Sequence, residues 1–525
     1  MRLLGMPLAA AILPACLFGQ ASVLTYHNDN GRTGQNLKET ILTPANVNPG
    51  GFGKLFVIQT DGKVDAQPLY VPKLSIPGHG AHNVVFIATE HDSVYAVDAD
   101  TGAGLWHVSL LKKGETPSDR RNCGQVDPEI GVTSTPVIDP AAGPHGTIYL
   151  IAMSKSGRQY HQRLHALDLT TGAEEFRGPA DIAATFPGTG DESRNGKLIF
   201  EPEQYEERIA PVLVNGVIYT AWASHCDIRP YTGWIMGYDA HTLKQTSVLD
   251  VTPNGNEGAF WSAGGGVAAD APGSLYLLDG NGSFDTALNG KGFPSRGNFG
   301  NAFLKIRTSN RALSVADYFN MFNTIQESDD DADLGSGGPL LLPDMKDASG
   351  RVRHLAVGAG KDKNIYIVDR DNLGKFNPSS NANAYQVLTG AEPHGIFSSP
   401  AYFHNTLYYG GVDDIVRAFR ISNARVSSTP ASVSADKYPY PGTTPSISAN
   451  GSKNGIVWTV KNEKAAVLAA YDASDLSRRL YDSNQAPSGR DHFGAGNKFI
   501  TPMIANGKVY VGTATGVGVF GLLQH

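Results

Sequence analysis

The chain has 525 residues, 41% of them hydrophobic and only 18% charged, with a formal net charge of -7. No Lys/Arg cluster forms a basic stripe, which argues against nucleic acid as a partner, and no low-complexity tract points to large-scale disorder. Its 60 glycines and 21 tyrosines suit an all-β chain rich in tight turns, because glycine supplies the positive φ that such turns require.

The first predicted element is a leader over residues 1–21. Met1 and Arg2 give it a positive start, residues 3–18 are almost wholly apolar, and small residues follow at Gly19 and Ala21. The run is too short for a comfortable membrane span and polar chain follows directly, the pattern of a cleaved signal peptide. Leu13-Pro14-Ala15-Cys16 also resembles a lipoprotein cleavage box, with lipid on Cys16. A periplasmic or secreted location is expected, and no other segment could span a bilayer. With the leader removed, Cys123 and Cys226 are the remaining cysteines. Export makes a disulfide between them chemically possible; two unpaired small hydrophobes are the alternative.

The mature part, 22–525, reads as one domain of repeated units. Val94-Tyr95-Ala96-Val97-Asp98 runs into Ala99-Asp100-Thr101-Gly102 and then Leu105-Trp106. Leu164-His165-Ala166-Leu167-Asp168 runs in the same way into Thr170-Thr171-Gly172, and weaker copies end at Asp239 and Asp472. Each is a strand of alternating apolar residues, an Asp-bearing turn and a second strand, with an aromatic residue after the turn placed to pack between neighbouring sheets. Two further strands precede each copy, joined by turns such as Asn215-Gly216 and Asn506-Gly507. Four short strands repeating every 40 to 60 residues predict the blades of a propeller. Units fall near 67–110, 134–182, 209–253, 261–322, 335–388, 397–432, 444–485 and 499–525. The last lacks a strand, and residues 54–60 could supply it and close the ring. An eight-bladed β-propeller of four-stranded antiparallel sheets is expected, with seven blades as the alternative.

These repeats resemble the tryptophan-docking repeats of the pyrroloquinoline-quinone (PQQ) alcohol dehydrogenases over nearly the whole mature chain. Three stretches carry the likeness further. They are Trp261-Ser262-Ala263-Gly264-Gly265-Gly266 with Gly280-Asn281-Gly282; Gly300-Asn301-Ala302-Phe303; and Asp331-Ala332-Asp333 through Gly360-Lys361-Asp362 to Asp369-Arg370. The chain is more similar still to exported propellers without an established activity, through Tyr26-His27-Asn28-Asp29-Asn30, Arg32-Thr33-Gly34-Gln35-Asn36 and Asp333-Leu334-Gly335-Ser336-Gly337-Gly338-Pro339.

The resemblance implies a quinone in the central funnel beside a calcium ion, covered on one face by two adjacent disulfide-linked cysteines and stacked on a tryptophan on the other. A carboxylate takes the substrate proton and a basic residue contacts the quinone. Carried over, Asn281 and Asp227 fall on calcium ligands, Lys361 on the basic residue, and Ser224 on a quinone-binding serine. Asn301 falls at the catalytic carboxylate, where a neutral amide cannot act as a general base. Ala269 falls at the stacking tryptophan, with Trp234 as a candidate replacement, and no Cys-Cys pair exists. Asp329, Asp330, Asp331 and Asp333 read as a solvated acidic loop, and Glu90, His91 and Asp92 as surface turn residues. The expectation is an exported quinoprotein-like scaffold with a degenerate PQQ site that binds a small-molecule ligand or a cell-envelope protein. PQQ- and calcium-dependent oxidation of an alcohol or sugar is the alternative.

Overall fold

The computed structural model describes residues 21–191 and 193–524; the leader and Cys16 lie outside the described residues. The chain is all-β and its small antiparallel sheets form eight blades. They span residues 69–109, 137–181, 212–250, 268–320, 340–388, 401–438, 446–482 and 503–522, so eight blades rather than seven is the observed number. The sixth runs on to Tyr438, because the strand Ser432–Tyr438 pairs with Asp414–Ser422. The eighth receives its outermost strand from Phe52–Gln59, which pairs antiparallel with Gly516–Leu522, Lys54 opposite Phe520.

The repeated turn works as its residues dictate. Asp98 Oδ1 accepts from the backbone N–H of Asp100 at 3.0 Å and of Thr101 at 2.7 Å, and Gly102 takes φ 78°. Asp168 does the same for Thr170 and Thr171. These side-chain acceptors satisfy turn N–H groups that no strand can reach. The glycine then receives the neighbouring blade's aromatic ring. A Cβ on Gly172 would lie 2.8 Å from Trp106, and one on Gly102 would lie 2.9 Å from Phe56. Trp106 adds a hydrogen bond from Nε1 to Leu169 O at 3.0 Å. Blade is thus fastened to blade at the outer rim, while the apolar faces of adjacent sheets fill the space between them.

Candidate functional site

The connections that lead into the innermost strands converge on the propeller axis, where they enclose a cavity of about 300 Å³. One wall carries carboxylates. The short helix Thr324–Asp329 delivers Asp331 to the cavity, and Asp333 follows it into full burial. Lys361, in the turn between Leu355–Ala359 and Ile365–Asp369, places Nζ against Asp331 and 2.7 Å from Asp333 Oδ1. Burial alone would lower the Lys361 ammonium, but the two carboxylates outweigh it and hold it above its ordinary range. Asn281 Nδ2 donates to Asp331 Oδ1 at 2.8 Å, while its Oδ1 is buried and accepts no hydrogen bond. Asp227 lines the same cavity; burial raises its carboxyl, and the Tyr231 hydroxyl, 2.7 Å away, pulls it back. The loop expected to be solvated therefore sends two of its four aspartates into the funnel.

The other wall is aromatic and basic. Trp261, Phe397, Tyr440 and Phe499 line the cavity, each half-buried. The Arg208 guanidinium lies 4.4 Å over the Phe499 ring and 5.9 Å from Trp261. Its buried Nε makes no hydrogen bond and stands 3.6 Å from Glu206. Burial lifts Glu206 to about 6, against the pull of Arg208, and lowers His225 to about 4. Lys498 Nζ lies 5.7 Å over the Tyr440 ring. Cys123 and Cys226 are joined by a disulfide across 103 residues of sequence, with Cα atoms 5.4 Å apart, and Cys226 lines the cavity.

Several sequence expectations move. Asn301 is fully buried and outside the cavity. Its Oδ1 accepts from Leu334 N at 2.8 Å, so it splints the loop that carries Asp331 and Asp333. It sits one residue before its strand at φ 56°, a conformation Asn tolerates, and this turns the side chain toward the loop. Ala269 belongs to a buried inner strand and lies away from the cavity. Trp234 is core, packed edge-on to Phe200 and donating from Nε1 to Tyr205 at 3.0 Å, so it does not face the funnel. Ser224 is buried two residues before Cys226 and does not line the cavity. Glu90 and Asp92 are buried rather than exposed, Glu90 accepting from Gly131 N and Thr133 Oγ1.

Of the predicted positions, Asn281, Asp227 and Lys361 come together. Arg208, Phe397 and Phe499 were missed, and of the two readings open for Cys123 and Cys226 the structure has the disulfide. A signal for the missed residues exists in the repeat: Arg208, Ser336, Phe397 and Phe499 each stand three residues before the proline that opens an inner strand, at Pro211, Pro339, Pro400 and Pro502. Among the described residues, no group of three or more His, Cys, Asp or Glu forms a metal cluster.

No protein-family model and no curated protein matches the chain. Solved structures do. The quinohemoprotein alcohol dehydrogenase of Comamonas testosteroni superposes with a TM-score of 0.60 at 15% identity, covering 95% of this chain and 80% of that one. The chain has the fold of the quinoprotein alcohol dehydrogenases. The quinohemoprotein alcohol dehydrogenase ADHIIG of Pseudomonas putida HK5 gives 0.59 at 14% identity over 96% of this chain and 80% of that one. A europium-containing methanol dehydrogenase gives 0.57 at 13% identity over 96% and 98%. Likeness at this identity speaks for the quinoprotein propeller scaffold, and the chemistry has to be argued from the cavity. No helix among the described residues is long and apolar enough to cross a membrane.

Proposed function

We propose that the axial funnel binds a planar, polyanionic small molecule of the PQQ kind, as the ligand site of an exported scaffold. One observation carries this reading. Arg208, its buried Nε unmade, stands over the Phe499 ring on a wall of ring faces and a disulfide, in a cavity whose other wall carries Asp227, Asp331 and Asp333 with Lys361 paired to the last two. Flat aromatic ligands take such faces, and guanidinium and ammonium groups take carboxylates. The orphaned Nε of Arg208 supports an incoming acceptor, because a buried donor left unmade is costly. A hard cation such as calcium fits the facing wall, where Asn281 Oδ1 is without a donor and Asp227 and Asp331 would hold the ion with it. The disulfide supports an oxidising compartment.

A second reading, oxidation of an alcohol or sugar, is favoured by the contact of Asp331 with both Asn281 and Lys361. There Asp331 would accept the substrate hydroxyl proton, Lys361 would orient the cofactor, and the aromatic wall would exclude water. The quinone, when bound, supplies the electron acceptor. The test adds PQQ, with and without calcium, to the mature protein and follows quinone absorbance and tryptophan emission. Stoichiometric binding weakened by Arg208→Ala supports the binding site, and dye reduction with alcohols or aldoses adds the second reading. Failure to bind at micromolar PQQ defeats both.

A further inference from the structure

The motif around Tyr26 to Asn36 takes no part in the cavity walls, and the structure gives it a different place. The segment runs through the axis of the ring and meets the blades in their own order. Val23 exchanges backbone bonds with Tyr70 of the first blade, both 2.9 Å, and Leu24 O accepts from Ile138 N of the second at 2.8 Å. Asn30 Nδ2 reaches Leu213 O of the third at 3.0 Å. Then Asn30 O accepts from Ala269 of the fourth, Gly31 O from Leu341 of the fifth, Thr33 O from Tyr402 of the sixth and Gly34 O from Ile447 of the seventh, at 2.7–2.8 Å. Asn36 Nδ2 completes the circuit on Ile504 O of the eighth at 2.9 Å.

Most of these donors are N–H groups on the inner edges of the innermost strands, the edges that closing the ring leaves unpaired. The side chains of the segment are held as firmly as its backbone. Arg32 is fully buried and donates to Val267 O at 2.8 Å, Pro211 O at 3.1 Å and Tyr26 O at 2.8 Å. His27 Nε2 lies 2.9 Å from Pro445 O, and Gly34 is required because a Cβ there would sit 2.6 Å from the His27 ring. Tyr26 is buried, its hydroxyl 3.4 Å from Thr501 Oγ1 of the eighth blade's approach.

We propose that the propeller axis is a peptide-binding channel which the chain fills with its own residues 23–36, and that this segment, whose Gln35–Asn36 adds a parallel strand beside Ser446–Asn450 of the seventh blade, remains a separable ligand of the ring. The ligand class is an extended peptide that offers carbonyls to successive inner strand edges and an arginine to their carbonyls, recognition by strand-edge pairing wrapped into a circle.

A protease recognition sequence inserted after Gly50, an exposed turn position, allows the folded full chain to be nicked. The expected result is that the released N-terminal fragment co-elutes with the ring in gel filtration and leaves only in denaturant. With Arg32→Ala the fragment should bind about a hundredfold more weakly, since several hydrogen bonds to a buried charged group are lost. As a control against misfolding of that variant, a labelled synthetic peptide of residues 21–50 is offered in excess to the nicked wild-type ring as it refolds from denaturant. One-for-one exchange that a scrambled peptide cannot match supports the proposal. A fragment that separates in buffer from a ring of unchanged circular dichroism and melting temperature overturns it. So does a wild-type ring that fails to take up the peptide.

Discussion

The carboxylate wall of the funnel and its aromatic wall handle charge in opposite ways. On the first, Lys361 answers Asp331 and Asp333 within the fold, and Asn281 ties Asp331 to the preceding blade. On the second, Arg208 stands over ring faces with an unmade Nε bond, and its nearest carboxylate, Glu206, is lifted toward neutrality by burial. A self-neutralised wall contributes chiefly to the stability of the fold, whereas a wall with an unsatisfied guanidinium contributes chiefly to affinity for an anion.

Substitutions on each wall should separate these roles. The largest effect is expected from Lys361→Ala, which leaves Asp333 buried without its partner; stability should fall by about 3 kcal/mol in urea titration. Adding Asp333→Asn should recover part of that loss. If Lys361→Ala is as stable as the wild type, the wall is not self-neutralised. Arg208→Ala should weaken binding of a PQQ-type ligand about a hundredfold in fluorescence titration, the effect of losing a charge-assisted contact. An unchanged affinity would move the anion site elsewhere.

Behind Arg208, burial raises Glu207 to about 8 although Thr220 Oγ1 donates to it at 2.7 Å. The fold favours its protonated form, so this contribution is complete below pH 4.5, the ordinary carboxyl value, and is lost as the pH climbs toward 8. The slope should be at most about 1.4 kcal/mol per pH unit. Glu207→Gln, which mimics the protonated group, should flatten the stability profile between those limits; an unaltered profile would show that Glu207 ionises normally. The smallest effect is expected at Trp234→Phe, which should cost about 1 kcal/mol for the bond to Tyr205 and leave ligand affinity unchanged. A changed affinity would return Trp234 to the funnel.

Much of the fold was legible because its determinants are local. The Asp-Thr-Gly turns, the Asn-Gly hairpins and the alternating apolar strands specify each blade, and the predicted units differ from the observed ones by a few residues, with the later start of the fourth blade and the longer final strand of the sixth the main exceptions. The site was legible only in part. Lys361 sits in the short turn between paired strands and Asn281 three residues after the strand Leu275–Leu278, so position along the chain determines their position on the ring. Asn301 and Trp234 were misplaced because a motif match does not say to which side a side chain turns. One left-handed residue aims Asn301 at a loop, and strand alternation aims Trp234 at the core. The Cys123–Cys226 bond joins loops of the neighbouring second and third blades, 103 residues apart in sequence, so no local pattern announces it.

The thread of residues 23–36 bears on how such a repeat array can evolve. Propellers grow and shrink by duplication and loss of blades, and a symmetric ring leaves that number open. Here one non-repeating segment spaces its carbonyls and amides to serve each blade in turn. A duplicated blade would bring an inner edge with nothing to meet it, and a deleted one would pull every later contact out of step. The copy number of the repeat is therefore written twice in the gene, once as blades and once in a stretch of fourteen residues that counts them.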